Sequence, residues 1–304
     1  MGKLPAPGVC PALSEAIFHA IVRGLFFEAR VPNGSIIDAG AHMGFEACFY
    51  AGLAPQRTVH AVEPLSSNVA FMRRQYGKSH PNVRPLLGGL GSSSHNLALG
   101  RDAHRVAGVQ LSLTHTHYKV INGTAADDDG PTHRKTVKVR TVDDLFAQRW
   151  AGEHLGFMHL DVQGGELEVL RGAMVTLKRD QPLFSVELDV HRNYSYSVEL
   201  LNCLSNGGYH ALLIDEECGV NLDCRNILAL PKSRSALFAG SPTIKDAYTA
   251  GQLVSVDNTS LFQYAYPCCK PGRSCCPSRS NCCTASLVDK WLQRNYKPSR
   301  KANR

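Results

Sequence analysis

Apolar positions along this chain follow two alternating periods. Leu13, Ile17, Ile21 and Leu25 recur every four residues, which predicts an amphipathic leading helix packed on a domain. Short apolar runs then alternate with helical segments. Ser35–Ala39 reads as a strand, Phe45–Leu53 as a helix and Thr58–Glu63 as a strand. Pro64 and Ser66 open a helix that runs to Tyr76, and Val83–Leu87 is a third strand. From Gly88 to Arg134 the pattern fails in a polar stretch containing GGLGSSS and DDDG, read as loops with at most one helix or strand pair and as a substrate-side insertion. Lys135–Arg140 alternates again, with Val137 and Val139 on one face. Thr141, with Asp144 three residues on, resembles a capped helix start.

The regular pattern resumes with a strand at Phe157–Val162. A helix follows at Gly165–Arg179, with Leu167, Leu170, Met174 and Leu177 on one face. Leu183–Leu188 is a strand and Ser197–Asn206 a helix, while Tyr209–Asp215 and Asn226–Leu230 are expected to pair antiparallel at a sheet edge. Strands alternating with helices predict an α/β fold with a mostly parallel sheet covered on both faces. The division that follows is a helical extension (1–30), a main domain (31–235), a linker or sheet-edge extension (236–267) and a tail (268–304).

In an open parallel sheet, ligands bind beyond the carboxyl ends of the strands. The stretch IIDAGAHMG places Asp38 at such an end and Gly40-Ala41-His42-Met43-Gly44 just after it. Gly40 lets the chain turn, and Gly44 is read as permitting close approach of backbone to ligand. A nicotinamide loop of the form G-x-G-x-x-G would need glycine where His42 stands, which disfavours an oxidoreductase. Glu63, at the end of the next strand, is an acid that could accept both ribose hydroxyls.

A set of motifs in order carries a family resemblance: IIDAGAHMG, VEP (Val62–Pro64), TVDDL (Thr141–Leu145), HLDVQGGE (His159–Glu166) with LEVLRGA after it, and a late SVE (Ser185–Glu187). Over about residues 34–231 the chain resembles FkbM-type methyltransferases. That resemblance implies a three-layer, Rossmann-like class I methyltransferase domain, with a seven-stranded, mostly parallel sheet and an antiparallel edge strand. It implies S-adenosylmethionine as cofactor, held by Asp38, Gly40, Ala41, His42, Gly44, Glu63 and Asp161. It also implies O-methylation of a hydroxyl on a sugar, lipid or other small molecule.

The departures are His42 for the usual Asn, His159 for Lys and Gln163 for Glu. They motivate an alternative, a catalytically inactive binding protein on the same fold that interacts through its tail. For methyl transfer to a neutral hydroxyl a base is useful, and the candidates are Asp161 and Glu187 at two adjacent strand ends. Glu166 is read against an acid favoured by a helix dipole, and His159 against a packed core histidine. No metal set is assigned; His115 and His117 are read as solvent-facing.

The net charge of +7 is uneven. Residues 268–304 hold nine Lys/Arg and one acid, which leaves residues 1–267 close to neutral, with no basic footprint for nucleic acid. The expected partner is therefore a small-molecule or glycan acceptor. The tail also carries six of the eleven cysteines, in CCKPGRSCCPSRSNCC, and these suit zinc or three disulfides. The other five are read as packed thiols. No apolar run is long enough for a membrane span. Localisation stays open: the absence of a clear signal peptide favours the cytoplasm, while the tail cysteines suit a secretory lumen, where alone the sequons at Asn122, Asn193 and Asn258 would be acceptors; short sequons also arise by chance and add little.

Overall fold

The computed structural model describes residues 8–11, 13, 15–98, 136–188, 194–218, 224–257 and 260–261. His115, His117, the three sequons and the tail cysteines lie outside the described residues.

Helix α1 (Ala16–Phe27) leads the chain, and its buried stripe is Phe18, Ile21, Val22 and Leu25. This i, i+3, i+4, i+7 spacing lays one helical face on the sheet. Strand β1 (Ser35–Ala39), α2 (Phe45–Leu53), β2 (Val59–Glu63), α3 (Ser66–Tyr76) and β3 (Val83–Leu87) follow as β-α-β-α-β. β1 and β2 are buried at every position, as the continuous apolar runs of a sheet covered on both faces require.

The described part of the polar stretch after β3 holds two short strands. β4 (Gly89–Leu90) and β5 (His95–Ala98) flank β6 (Thr136–Arg140) in a small three-stranded sheet. Val137 and Val139 pack there with Leu65 and Leu97. Thr141 caps α4 (Val142–Asp144) by accepting the Asp144 N–H at 2.9 Å, and a π-helical turn at Leu145–Arg149 leads on to β7 (Leu155–Leu160).

The helix expected at Gly165–Arg179 is two helices, α5 (Glu166–Arg171) and α6 (Met174–Asp180). The break falls at Gly172, where a Cβ would sit 2.0 Å from the carbonyl oxygen of Gly91. Asp143, from the TVDDL motif, caps the second helix by accepting the N–H groups of Val175 (3.0 Å) and Thr176 (2.8 Å). Met174 consequently leaves the buried stripe and is 44% exposed.

β8 (Leu183–Leu188), α7 (Tyr194–Asn206), β9 (Tyr209–Cys218) and β10 (Cys224–Pro231) complete the domain. Beyond it lie α8 (Ser235–Ala239), α9 (Pro242–Thr249) and β11 (Leu253–Ser255). The main sheet has eight strands in the order β11-β9-β10-β8-β7-β1-β2-β3, one more than expected. β10 runs antiparallel between β8 and β9, and β11 pairs antiparallel with β9 at the outer edge. The extra strand is short, and nothing in its period separates it from a loop.

Two apolar layers fill the faces of the sheet. Ile37, Met158, Leu160 and Val186 face one layer with Leu170 and Leu201. Ile36, Phe157 and Leu183 face the other with α1, α2 and α3. Two of the scattered cysteines are not packed thiols: Cys10 and Cys48 form a disulfide that ties the segment before α1 to α2, while Cys203 is free.

Candidate cofactor and acceptor site

The carboxyl ends of β1, β2, β7 and β8 bring most of the sequence-derived candidates to one edge of the sheet. β1 lies between β2 and β7, and Asp38 is register partner to Ala61 on one side and His159 on the other. The chain leaves β1 through Gly40, with φ +83°, wedged between its neighbours. Its N–H bonds Val62 O at 3.0 Å, and a Cβ would lie 1.8 Å from the carbonyl oxygen of Asp161. Gly40 is thus glycine for contact with the β7 loop. Gly44, φ +77°, is glycine for a different reason than close approach to a ligand: a Cβ there would stand 2.6 Å from Met72 Sδ on α3.

His42 sits between these glycines with φ +48°. Asn, Asp and His are the non-glycine residues most often found in this left-handed region. The change from Asn to His therefore keeps the backbone shape of the loop. The His42 N–H donates to Glu63 Oε2 at 2.9 Å.

Glu63 is 4% exposed and holds the loops together, since its Oε1 also accepts from Leu65 N (2.9 Å) and Asn68 Nδ2 (3.1 Å). A carboxylate offers about four acceptor positions, so room for one further hydroxyl remains, rather than for two. Burial raises its pKa against these three donors.

Asp38 is buried, and its Oδ2 has no hydrogen-bond partner among the described residues. Burial first, then the nearby Glu46 and Asp161 charges, push its pKa well up, while the Ala47 N–H opposes the shift. A buried carboxyl oxygen with an open acceptor position, beside a loop shaped by two glycines, fits a group that carries N–H or O–H donors and positive charge. The amino acid part and sulfonium of S-adenosylmethionine are of that kind.

On the acceptor side, Asp161 and Glu187 are brought together by Gln163. Its Nε2 donates to Asp161 Oδ1 at 2.6 Å and to Glu187 Oε2 at 3.2 Å. Gln163 also has positive φ, +57°. Burial, and then the Asp161 charge, hold the Glu187 pKa well above the ordinary carboxyl range. Two adjacent carboxyls, of which Glu187 is pushed toward its protonated form, make a pair in which one member can accept a proton and the other donate a hydrogen bond.

Glu166 does not line this unit. It is 2% exposed and closes the loop after β7, accepting Gly164 N (2.9 Å) and Val162 N (3.1 Å) at Oε1 and the Tyr196 hydroxyl (3.2 Å) at Oε2. Burial lifts its pKa to about 7. His159 is a core histidine packed between Phe18 and Tyr50, with Nδ1 2.8 Å from Ser185 Oγ.

Sequence reasoning missed the contribution of α1. Glu15, just before it, accepts from Asn226 Nδ2 at 2.9 Å, and Asn226 is the register partner of Glu187 on β10. Burial and the Glu46 charge raise Glu15 to about 7. His19, on α1, lies 3.4 Å from Glu46 on α2. Neither residue carries a local motif; only the docking of α1 on the sheet brings them to this edge.

Strand order and the loop after β1 define the class: a Rossmann-like α/β domain of the class I methyltransferase type. The family follows from a model for the methyltransferase FkbM domain, which matches residues 38–211, more than half of the 304 residues, and the chain belongs to that family. Among solved structures it is similar to methyltransferase FkbM from Methylobacillus flagellatus KT, at 16% identity and TM-score 0.44, covering 64% of this chain and 43% of that one. It is similar to Aeropyrum pernix fibrillarin in complex with natively bound S-adenosyl-L-methionine, at 16% identity and TM-score 0.42, covering 71% and 75%. It is also similar to the N-terminal domain of human METTL16 in complex with SAH, at 10% identity and TM-score 0.39, covering 74% and 72%. The chain spans less than half the length of the first of these. No curated protein sequence matches it.

Proposed function

We propose that this chain is an S-adenosylmethionine-dependent O-methyltransferase acting on a hydroxyl of a sugar, lipid or other small molecule. The observation that carries the reading is the Asp161–Gln163–Glu187 unit, at the sheet edge where the family's loop motif also lies. Asp38, Gly40, Ala41, His42, Gly44, Glu63 and Asp161 are the residues proposed to hold the cofactor. Bound S-adenosylmethionine supplies an electrophilic methyl group on a positive sulfur.

The protein's part is alignment and proton handling. Asp161 would take the proton of the acceptor hydroxyl, and the bound cofactor would supply the methyl group that replaces it on that oxygen. Burial, and then the Asp161 charge, favour the protonated form of Glu187, which suits it to hold the acceptor oxygen in place. Gln163 fixes both side chains without adding a third charge. The near-neutral body outside the tail supports a small-molecule or glycan acceptor over nucleic acid. Disulfides persist in oxidising compartments, so the Cys10–Cys48 bridge supports a secretory lumen over the cytosol. No helix among the described residues is long and apolar enough to cross a membrane.

The test is a methyl-transfer screen of the full chain against hydroxyl-bearing glycans and lipids, repeated with Asp161→Ala on any acceptor found. A loss of about 100-fold or more in turnover is expected. Unchanged turnover in the variant would remove Asp161 from the chemistry.

A further inference from the structure

A cavity of about 680 Å³ lies away from the transfer site and takes no part in the mechanism above. Its walls lie mainly toward the amino-terminal ends of the strands, with Pro85 and Leu86 along the edge strand β3. Thr58 precedes β2, Val83 and Arg84 begin β3, and Arg149 and Glu153 lie on the segment that enters β7. The cofactor residues stand at the opposite, carboxyl ends. β2 alone separates the two ends by about 15 Å, at about 3.3 Å per residue.

Three guanidinium groups line this cavity, from Arg73, Arg84 and Arg149, against one carboxylate, Glu153. That carboxylate is already engaged: its Oε2 lies 2.8 Å from His60 Nε2. His60 in turn stacks on Trp150, with ring centroids 3.9 Å apart and planes at 20°. His60, Trp150 and Glu153 all line the cavity. Arg84 donates to the Pro81 carbonyl oxygen, which is neutral. Neither Arg73 nor Arg149 forms an ion pair with a carboxylate among the described residues. The result is a concave site of small-molecule size with surplus positive charge on three planar forks. Such forks suit bidentate contact with phosphate oxygens, which would also offset their mutual repulsion.

We propose that this cavity binds a soluble, phosphorylated small molecule, whose phosphate oxygens are held by Arg73, Arg84 and Arg149. The site does not depend on the methyltransferase reading. A ligand seated there is separated by the length of β2 from Asp161, so it serves as an effector or an anchoring group and not as the hydroxyl that is methylated.

Calorimetry on the full chain with inorganic pyrophosphate tests the proposal, with the variants Arg84→Gln, Arg149→Gln and Arg74→Gln. Arg74 is on the exposed face of α3 and does not line the cavity, so it controls for diffuse charge. Wild type should bind, Arg84→Gln and Arg149→Gln should each bind about tenfold more weakly or worse, and Arg74→Gln should match wild type. No binding by folded wild type, or equal losses in all three variants, would overturn the proposal. Binding to phosphatidic acid vesicles without binding to pyrophosphate would overturn the soluble-ligand assignment.

Discussion

Gln163 stands where the FkbM resemblance predicts a glutamate, and its side chain donates to both Asp161 and Glu187. Restoring the glutamate would set a third carboxyl beside Asp161 and Glu187, and would delete both donated bonds. Gln163→Glu is therefore expected to lower kcat by about tenfold or more and to shift the pH profile of turnover upward, with the fold unchanged by circular dichroism. Glu166 is the residue for a stability test. Burial raises its pKa from the ordinary 4.5 to about 7, so between these values the folded state holds a proton that the unfolded chain has released. Its contribution is full below about pH 4.5 and is lost as pH rises through about 7. Relative to Glu166→Gln, wild type should lose about 3 kcal/mol across that window, measured by urea unfolding at several pH values. Asp38, Glu63 and Asp161 were legible as candidates because strand ends are where periodicity stops. The bonds of Glu63 to His42, Leu65 and Asn68 were not legible, because they depend on how two loops fold toward each other.

At the scale of elements, strands that are buried on both faces were the easiest to read: Ser35–Ala39 and Leu183–Leu188 stand where their apolar runs place them. The break between α5 and α6 was not legible, since it arises from contact between Gly172 and the backbone of Gly91, some 80 residues earlier. Gly40→Ala should not be tolerated, because its Cβ would strike Asp161 O and φ is positive; a loss of about 3 kcal/mol or more in unfolding free energy is expected. The Cys10–Cys48 bridge closes a separation of 38 residues, worth about 4 kcal/mol in a chain-entropy description. Replacing both cysteines with serine should lower Tm by about 10 °C, while a reductant should have the same effect on wild type and none on the variant. Cysteine spacing could not announce this pair, because the pairing requires the segment before α1 to lie against α2.

The whole molecule joins a parallel sheet, read largely from alternation, to an edge that alternation could not fix. The antiparallel pair of β9 and β10 was visible as two apolar runs, but the position of β10 inside the sheet and the added β11 follow from packing. The contribution of Glu15 to the acceptor side is of the same kind, a product of α1 docking over the strand ends. The acceptor itself is not written in any strand or helix period, since specificity lies in loops whose sequence encodes shape only together with the rest of the fold. The cofactor is the point at which fold, family and site meet, and binding tests it without knowledge of the acceptor. Calorimetry of the full chain with S-adenosylmethionine, its demethylated product and NAD is the direct measurement. Binding of the first two and not of NAD is the predicted result. A folded chain that binds neither sulfur compound would contradict the account.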